Sequence, residues 1–470
     1  SFLAVGTLLI ASGFSLGRPL SRPVADAIKA ETQLESLVSE SQPRWRSVLG
    51  YVVKRLRDLL KLSFFVTLIS TPLVWHSFNV VTPIAILMNV LLAPLLLVAL
   101  GSGIAAIFAA SIGPAWAAVP GGLCGATLEL MTWLIDVGAS VPCGHYWLPS
   151  PHAGWVCVFY LGLLVWLLLR KGPVSPRRFV RYLILLIVWF VVAWIGAFGL
   201  YPRSEKYRLG EMTEAVFVDV GHGTAVVIRS GAETWLYDCG QLGNEEFRPR
   251  GIDQVLWSMG ITRINGVFLS HADADHFNAL PSLLERFSVD QVYTPSGMLE
   301  DEEPAVRVLA GVIERHGLAV KELSAGDEVR MGKGLSVTVL HPPIGERFDS
   351  DNAGSLVLQL SKAGRTILLP GDLEPPGTQQ LLEHPRPSVG GILMAPHHGS
   401  LRANSEMVLQ WARPRYVVIS GGRLTDRAEV LQKFASTGAE VFRTAQDGAV
   451  RVRILESGDV EIRSYLKDPW

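Results

Sequence analysis

The chain has 470 residues, 49% of them hydrophobic, with a mean hydropathy of +0.31, which exceeds one ordinary domain and places part of the chain in a membrane. A formal charge of −1 excludes whole-chain attraction to a polyanion, though it is compatible with a local basic groove. Cys124, Cys143, Cys157 and Cys239 show no CxxC spacing, which excludes a disulfide scaffold.

Ser1 lies inside an apolar run with no basic leader before it, so the chain is expected to be a portion of something longer. A helix needs about 20 residues, at roughly 1.5 Å each, to cross roughly 30 Å of hydrocarbon. Apolar runs that meet this need, or nearly so, occupy residues 2–17, 62–81, 82–110, 116–137, 153–169 and 182–200. The run at 116–137 carries Glu129 and Asp136, so an interfacial amphipathic helix competes with a spanning one. Charge placement favours spanning. Arg44, Arg46, Lys54, Arg55, Arg57 and Lys61 precede the second run, and Arg170, Lys171, Arg177, Arg178 and Arg181 fill the stretch before the last. Both stretches read as cytoplasmic loops. An even number of crossings must separate them, and one more crossing puts everything after residue 200 outside. Arg203, Lys206 and Arg208 weigh against that orientation.

From about Lys206 the composition becomes that of an α/β domain. Short apolar stretches such as EAVFVDVG, TWLYDCG, INGVFLS, RTILLPGD and AVRVRIL alternate with turns and with helical stretches such as EPAVRVLAGVIERHG. Residues 1–205 are therefore expected to form a polytopic membrane domain of about six helices, and residues 206–470 a second domain.

Within the second domain, INGVFLS ends at Ser270 and is followed by His271-Ala-Asp-Ala-Asp-His276. Loops beyond strand ends carry sites, and imidazole with carboxylate is the donor set for borderline and hard divalent ions. The competing reading is an acidic helix cap with solvated histidines. Two further stretches favour a metal site: ILLPGD ends at Asp372, and ILMAPHHGS carries His397 and His398.

The order of these motifs, HxxxDH, then GD, then HHGS, resembles the metallo-β-lactamase superfamily. That resemblance implies an αββα sandwich with a metal site at the edge of its sheets. Carried over, His271 and Asp273 serve one metal position and Asp275 with His276 the other; Asp372 matches the bridging carboxylate and His397 or His398 the late histidine. Asp275 and His276 become the expected catalytic pair. Asp273 departs from the usual HxHxDH, and a carboxylate there makes Mn²⁺ an alternative to Zn²⁺. No separate histidine marks the third motif apart from His341 in VLHPP, which reads as a loop residue.

In the membrane half, SFNVVTPIAILMNVLLAPLL resembles the signature of the ComEC family of DNA-internalisation competence proteins, as do VFVDVGHGTAVVI, LYDCG and DNAGSLVLQL further on. Nearly the whole chain is covered, with the family's amino-terminal part, including its OB-like domain, missing. Where the family commonly has VGQGDA, His222 and Thr224 stand in place of a glutamine and an aspartate.

That resemblance implies a bacterial inner-membrane protein that conducts single-stranded DNA and works with other competence proteins. Its extracytoplasmic domain would be a divalent-metal nuclease. Asp219 and Asp238 are then supporting residues or turn caps. Asn79, Asn89, Glu129 and Asp136 are pathway residues, with interhelical hydrogen bonding the alternative for the asparagines. Pro83 and Pro94 are expected to kink the third run. A membrane-tethered hydrolase of a small molecule, or a DNA channel with a non-catalytic domain, are the rival readings; arginines in RPRYVVISGGR and FRPRG would favour DNA if they lie near the site.

Overall fold

A computed structural model describes residues 44–169, 176–196, 212–241, 251–332, 334–422 and 428–469. The chain divides into two units, Ser1–Ala197 and Phe198–Trp470. The expected span at 2–17, Arg170, Lys171, Arg203, Lys206, Arg208 and the FRPRG arginines lie outside the described residues.

The first unit is helical. Among the described residues, three helices are long and apolar enough to cross a membrane: Val48–Phe78 within Arg44–Phe78, Ala85–Ile112 and Pro114–Ser140. Two more follow, Ala153–Leu169 and Pro176–Ile195. The basic residues Lys54, Arg55, Arg57 and Lys61 are not in a loop, as expected, but lie along the first helix. Lys and Arg are good helix formers whose long stems reach water from an apolar surface, so the charge cluster extends the helix without breaking it. Likewise Arg177, Arg178 and Arg181 belong to the last helix.

The first helix ends at Phe78, short of the expected residue 81. Asn79 takes a left-handed φ of 57° and its N–H donates to Trp75 O at 2.9 Å, a helix-terminating geometry that asparagine tolerates well. Val80–Val81 then pairs antiparallel with Tyr146–Trp147. The second and third helices run antiparallel through small-residue contacts. A Cβ on Gly138 would lie 2.9 Å from Met88 Sδ, and one on Gly103 would lie 3.3 Å from Cys124 Sγ. Pro94 sits inside Ala85–Ile112, which runs on to Ile112, and Pro83 precedes it. Glu129 and Asp136 are exposed on the third helix, and Asn89 Nδ2 donates to Thr67 Oγ1 of the first at 3.3 Å.

The second unit is a two-sheet sandwich. In spatial order, the first sheet holds Ala319–Leu323, Gln291–Pro295, Gly266–Phe268, Glu233–Cys239, Ala225–Ser230, Thr213–Phe217, Val450–Ile454 and Val460–Ser464. Its first four strands are parallel and the rest antiparallel. The second sheet runs Glu328–Met331, Leu335–His341, Val357–Lys362, Arg365–Leu369, Ile392–Met394, Tyr416–Ile419 and Glu440–Arg443, antiparallel and then parallel.

Phe217, Ile228, Tyr237 and Phe268 of the first sheet meet Val337, Leu358, Ile367 and Met394 of the second in one core. The outer face of the second sheet buries Leu368, Leu393 and Val417 under Leu409, Trp411 and Phe434 of flanking helices. Strands covered on both faces read as continuous apolar runs, which is why ILLP and VVIS in the sequence do not alternate. The second unit has the αββα sandwich architecture that the motifs implied, and the first has the helices of a membrane domain.

Candidate metal centre

The parallel strands end at one edge of the sandwich, and the residues singled out by sequence sit just beyond them. Asp238 lies at the end of Glu233–Cys239 and the loop 270–273 follows Gly266–Phe268 in the first sheet; Asp372 follows Arg365–Leu369, and His397 with His398 follow Ile392–Met394, in the second. Carboxyl ends of parallel strands are the usual place for a site in α/β folds. Close backbone contacts join the loops. Tyr237 Oη donates to Leu356 O at 2.8 Å, and Leu356 N donates to Ser270 O at 2.7 Å. A Cβ on Gly240 would come within 1.7 Å of Asp275 O, so only glycine lets the HADADH loop dock there.

Three buried histidines are each held by Nδ1. His276 Nδ1 donates to Asp238 Oδ2 at 2.8 Å. The Ser270 hydroxyl also donates to Asp238 Oδ2, at 2.8 Å, leaving its oxygen to accept from His271 Nδ1 at 2.9 Å. His398 Nδ1 donates to Ser420 O at 2.8 Å. With Nδ1–H committed, the Nε2 lone pair of each ring is the free end.

Those free ends converge on carboxylates. His276 Nε2 is 3.3 Å from Asp372 Oδ1, and His398 Nε2 is 3.5 Å from Asp372 Oδ2 and 3.4 Å from Asp275 Oδ2. Neither Nε2 makes a hydrogen bond, although both are buried. An orphaned buried nitrogen costs on the order of 1–3 kcal/mol, and a coordinated cation would satisfy it. His271, His276 and Asp372 form one group whose donor atoms lie within 4.8 Å of one another, and His222, Asp275 and His398 form a second. This nitrogen and carboxylate set fits a divalent ion of the zinc or manganese type.

The electrostatics make the same demand. Burial alone would raise the Asp372 carboxyl, yet the His276 and His398 charges hold it well below the usual range. Burial would also raise Asp275, but the close approach of His398 and the His276 charge bring it down to about 2. Conversely, burial would lower His276, and Asp372 and Asp238 hold it well above its ordinary value. Buried carboxylates here require positive charge, which protonated imidazoles or a metal ion can supply.

By donor proximity His276 stands with His271 and Asp372, and Asp275 with His398 and His222; His276 Nε2 is also 3.9 Å from Asp275 Oδ2, so the two residues expected to share a position remain neighbours. Asp273 is half exposed, with Oδ2 3.3 Å from His271 Nε2. It occupies the cap position of Ala274–Phe277 without a side-chain cap bond, so the capping alternative finds no support in its geometry. His397 is less enclosed than His398; its Nδ1 donates to Glu374 Oε1 at 2.7 Å and its Nε2 is 3.6 Å from Asp372 Oδ2. His341 ends a strand, not a loop, and is held by Ser355 O and Gln380 away from the cluster. Asp219 is half-buried just past Thr213–Phe217.

Sequence reasoning did not foresee the approach of His222 to the cluster, nor the roles of Ser270 and Ser420. The one available signal for His222 was its position between two glycines in the short loop that joins Thr213–Phe217 to Ala225–Ser230.

Residues 1–173 match the family model described as Competence protein, and residues 218–423 match that of the Metallo-beta-lactamase superfamily. The first part of the chain is thus similar to competence proteins, and the second carries a region that matches the metallo-β-lactamase superfamily. It is 23% identical over 435 residues to ComE operon protein 3 of Bacillus subtilis, covering 90% of this chain and 55% of that one. It is 25% identical over 346 residues to Competence protein ComA of Neisseria gonorrhoeae, covering 71% and 42% respectively. Its similarity to Ribonuclease Z of Methanosarcina mazei is 26% over 261 residues, covering 49% of this chain and 80% of that enzyme. The chain spans about half the length of these two competence relatives.

Asp238→Asn removes the carboxylate that fixes His276 and can present an amide N–H to Nδ1. Loss of such an orienting group typically weakens metal affinity roughly 10–100-fold. A competition titration of the purified protein with a chromophoric chelator should show this loss, and an unchanged affinity would deny Asp238 its supporting role.

Proposed function

We propose that the chain serves DNA uptake in natural transformation. Its membrane unit conducts single-stranded DNA, and its second unit hydrolyses phosphodiesters with a divalent ion, Zn²⁺ or Mn²⁺. The observation that carries the hydrolase reading is the convergence of His271, His276 and His398 on Asp275 and Asp372. Similarity to proteins named for competence and for ribonuclease activity supports the substrate class.

His271, His276 and Asp372 would hold such an ion, with Asp275 and His398 beside them. When bound, it supplies Lewis acidity toward a phosphodiester oxygen and makes water a stronger acid. The chain's own groups do the remaining work. Asp238 and Ser270 fix the tautomers of His276 and His271. Asp275 remains ionised at neutral pH and can accept a proton from attacking water. His397, oriented by Glu374, faces the open side of the cluster.

Arg413 and Arg415 of RPRYVVISGGR do not lie near the metal cluster. With Arg386 and Lys433 they line a cleft of ≈ 830 Å³ at the opposite end of the second sheet's parallel strands, where a phosphate backbone could be held. The cleft beside the cluster, ≈ 240 Å³, is lined by His271, Glu300, Asp301, Glu346 and Asp351 with Arg347. Its acidic walls favour the second reading, a hydrolase of a small molecule.

The membrane unit's basic residues support a bacterial inner-membrane protein with its second unit outside the cytoplasm. Asn79, Asn89, Glu129 and Asp136 remain the proposed pathway residues, and other competence proteins and membrane lipid the proposed partners. A reporter fused after Trp470 should be active only if it works outside the cytoplasm; activity of a strictly cytoplasmic reporter would reverse the orientation.

Metal-dependent nuclease activity of the detergent-solubilised chain on single- and double-stranded DNA tests the hydrolase reading. Asp275→Ala should lower the rate by at least about a hundredfold, as loss of a group at a water-activating metal site usually does. Asp273→His should retain activity and shift preference toward Zn²⁺ over Mn²⁺. An unchanged rate in Asp275→Ala would remove the cluster from the chemistry, and a wild type inert toward both DNAs would favour the small-molecule or non-catalytic reading.

A further inference from the structure

We propose that His222 is a metal ligand that completes, with Asp275 and His398, a second and solvent-facing divalent-cation position. This rests on the metal-centre reading above. His222 Nε2 lies 3.5 Å from Asp275 Oδ2, and its ring centroid is 5.1 Å from that of His398. His398 is more than nine-tenths buried, and its unpartnered Nε2 points into this group. The donor atoms of the three residues lie within 4.8 Å of one another, the spread found in the enclosed group of His271, His276 and Asp372.

The loop that carries His222 is fastened to both of its partners. Thr224 N donates to Asp275 O at 3.2 Å, and Ser420 Oγ donates to Gly223 O at 3.2 Å. Ser420 is the same residue whose carbonyl holds His398 Nδ1. The glycines on either side permit this seating. Gly221 has φ 77° and Gly223 φ 128°, and a Cβ on Gly223 would stand 2.7 Å from Asp275 O. The histidine is thus presented on a strapped turn.

Charge favours two ions over one. Asp238, Asp273, Asp275 and Asp372 carry four negative charges at the cluster, so one divalent ion with neutral imidazoles leaves a net negative charge in a largely buried site. Two bring it to neutrality. The donor atoms, two imidazole nitrogens and a carboxylate oxygen, select borderline divalent ions such as zinc or cobalt. The His222 side chain is 52% exposed whereas that of His271 is 1% exposed, so the second position should exchange its ion faster.

The full chain in detergent, loaded with Zn²⁺ and freed of excess ion, should hold two ions per chain by elemental analysis, and the His222→Gln variant one. With Co²⁺ as probe, the variant should lose one component of the visible ligand-field spectrum and keep the other. His271→Gln should lose the complementary component. Equal melting of the wild type and His222→Gln in EDTA checks that the variant folds. Two ions retained by His222→Gln, or a single ion in the wild type that the variant also keeps, would overturn the proposal while leaving the metal centre intact. A wild type that takes up no metal would overturn the centre itself.

Discussion

A buried imidazole whose Nδ1–H is already bound has one thing left to offer, the lone pair of Nε2. That constraint organises the edge of the sandwich. Asp238, Ser270 and Ser420 each take the Nδ1 proton of one histidine, and the Nε2 atoms of His276 and His398 then face Asp372 and Asp275 without a hydrogen bond, while that of His271 meets Asp273. A core of apolar residues would not tolerate such an arrangement, because unpaired polar atoms and like-charged carboxylates cost more than the packing around them returns. A cation at their centre satisfies the nitrogens and the carboxylates together.

The rest of the second unit serves that edge. Strands from two sheets must end at the same level, and the contacts from Tyr237 through Leu356 to Ser270 fasten one sheet's end to the other's. Glycines sit where backbones touch: Gly240 against Asp275, and Gly371 against Ser270, where a Cβ would meet another Cβ at 2.8 Å. The interior between the sheets supplies rigidity, with Phe268 stacked on Tyr293 beneath the HADADH loop. Rigid support of this kind is what holds donor groups near a productive geometry.

Much of this was legible in the sequence because each ligand-type residue follows an apolar run that can only be a buried strand. HADADH, Asp372 and the His397-His398 pair announced an edge site in that way, and the long apolar runs announced the membrane helices. What stayed hidden depended on contacts between distant segments. The closeness of His276 to His271 and Asp372 depends on ring orientations set by Asp238 and Ser270, which the loop sequence alone does not encode. The approach of His222 depends on Ser420, nearly two hundred residues away in the chain. In the membrane unit, run length located the helices but not their ends. Basic side chains extended Arg44–Phe78 toward its start, and Asn79 closed it by a left-handed turn that hydropathy does not encode.

The most direct measurement of the metal centre is anomalous diffraction at the zinc and manganese absorption edges, from crystals of the protein grown with each ion. The expected result is a peak within coordinating distance, about 2.0–2.2 Å, of His271 Nε2, His276 Nε2 and an Asp372 oxygen. A featureless cluster in which His276 and His398 serve as protonated partners of Asp372 and Asp275 would contradict it.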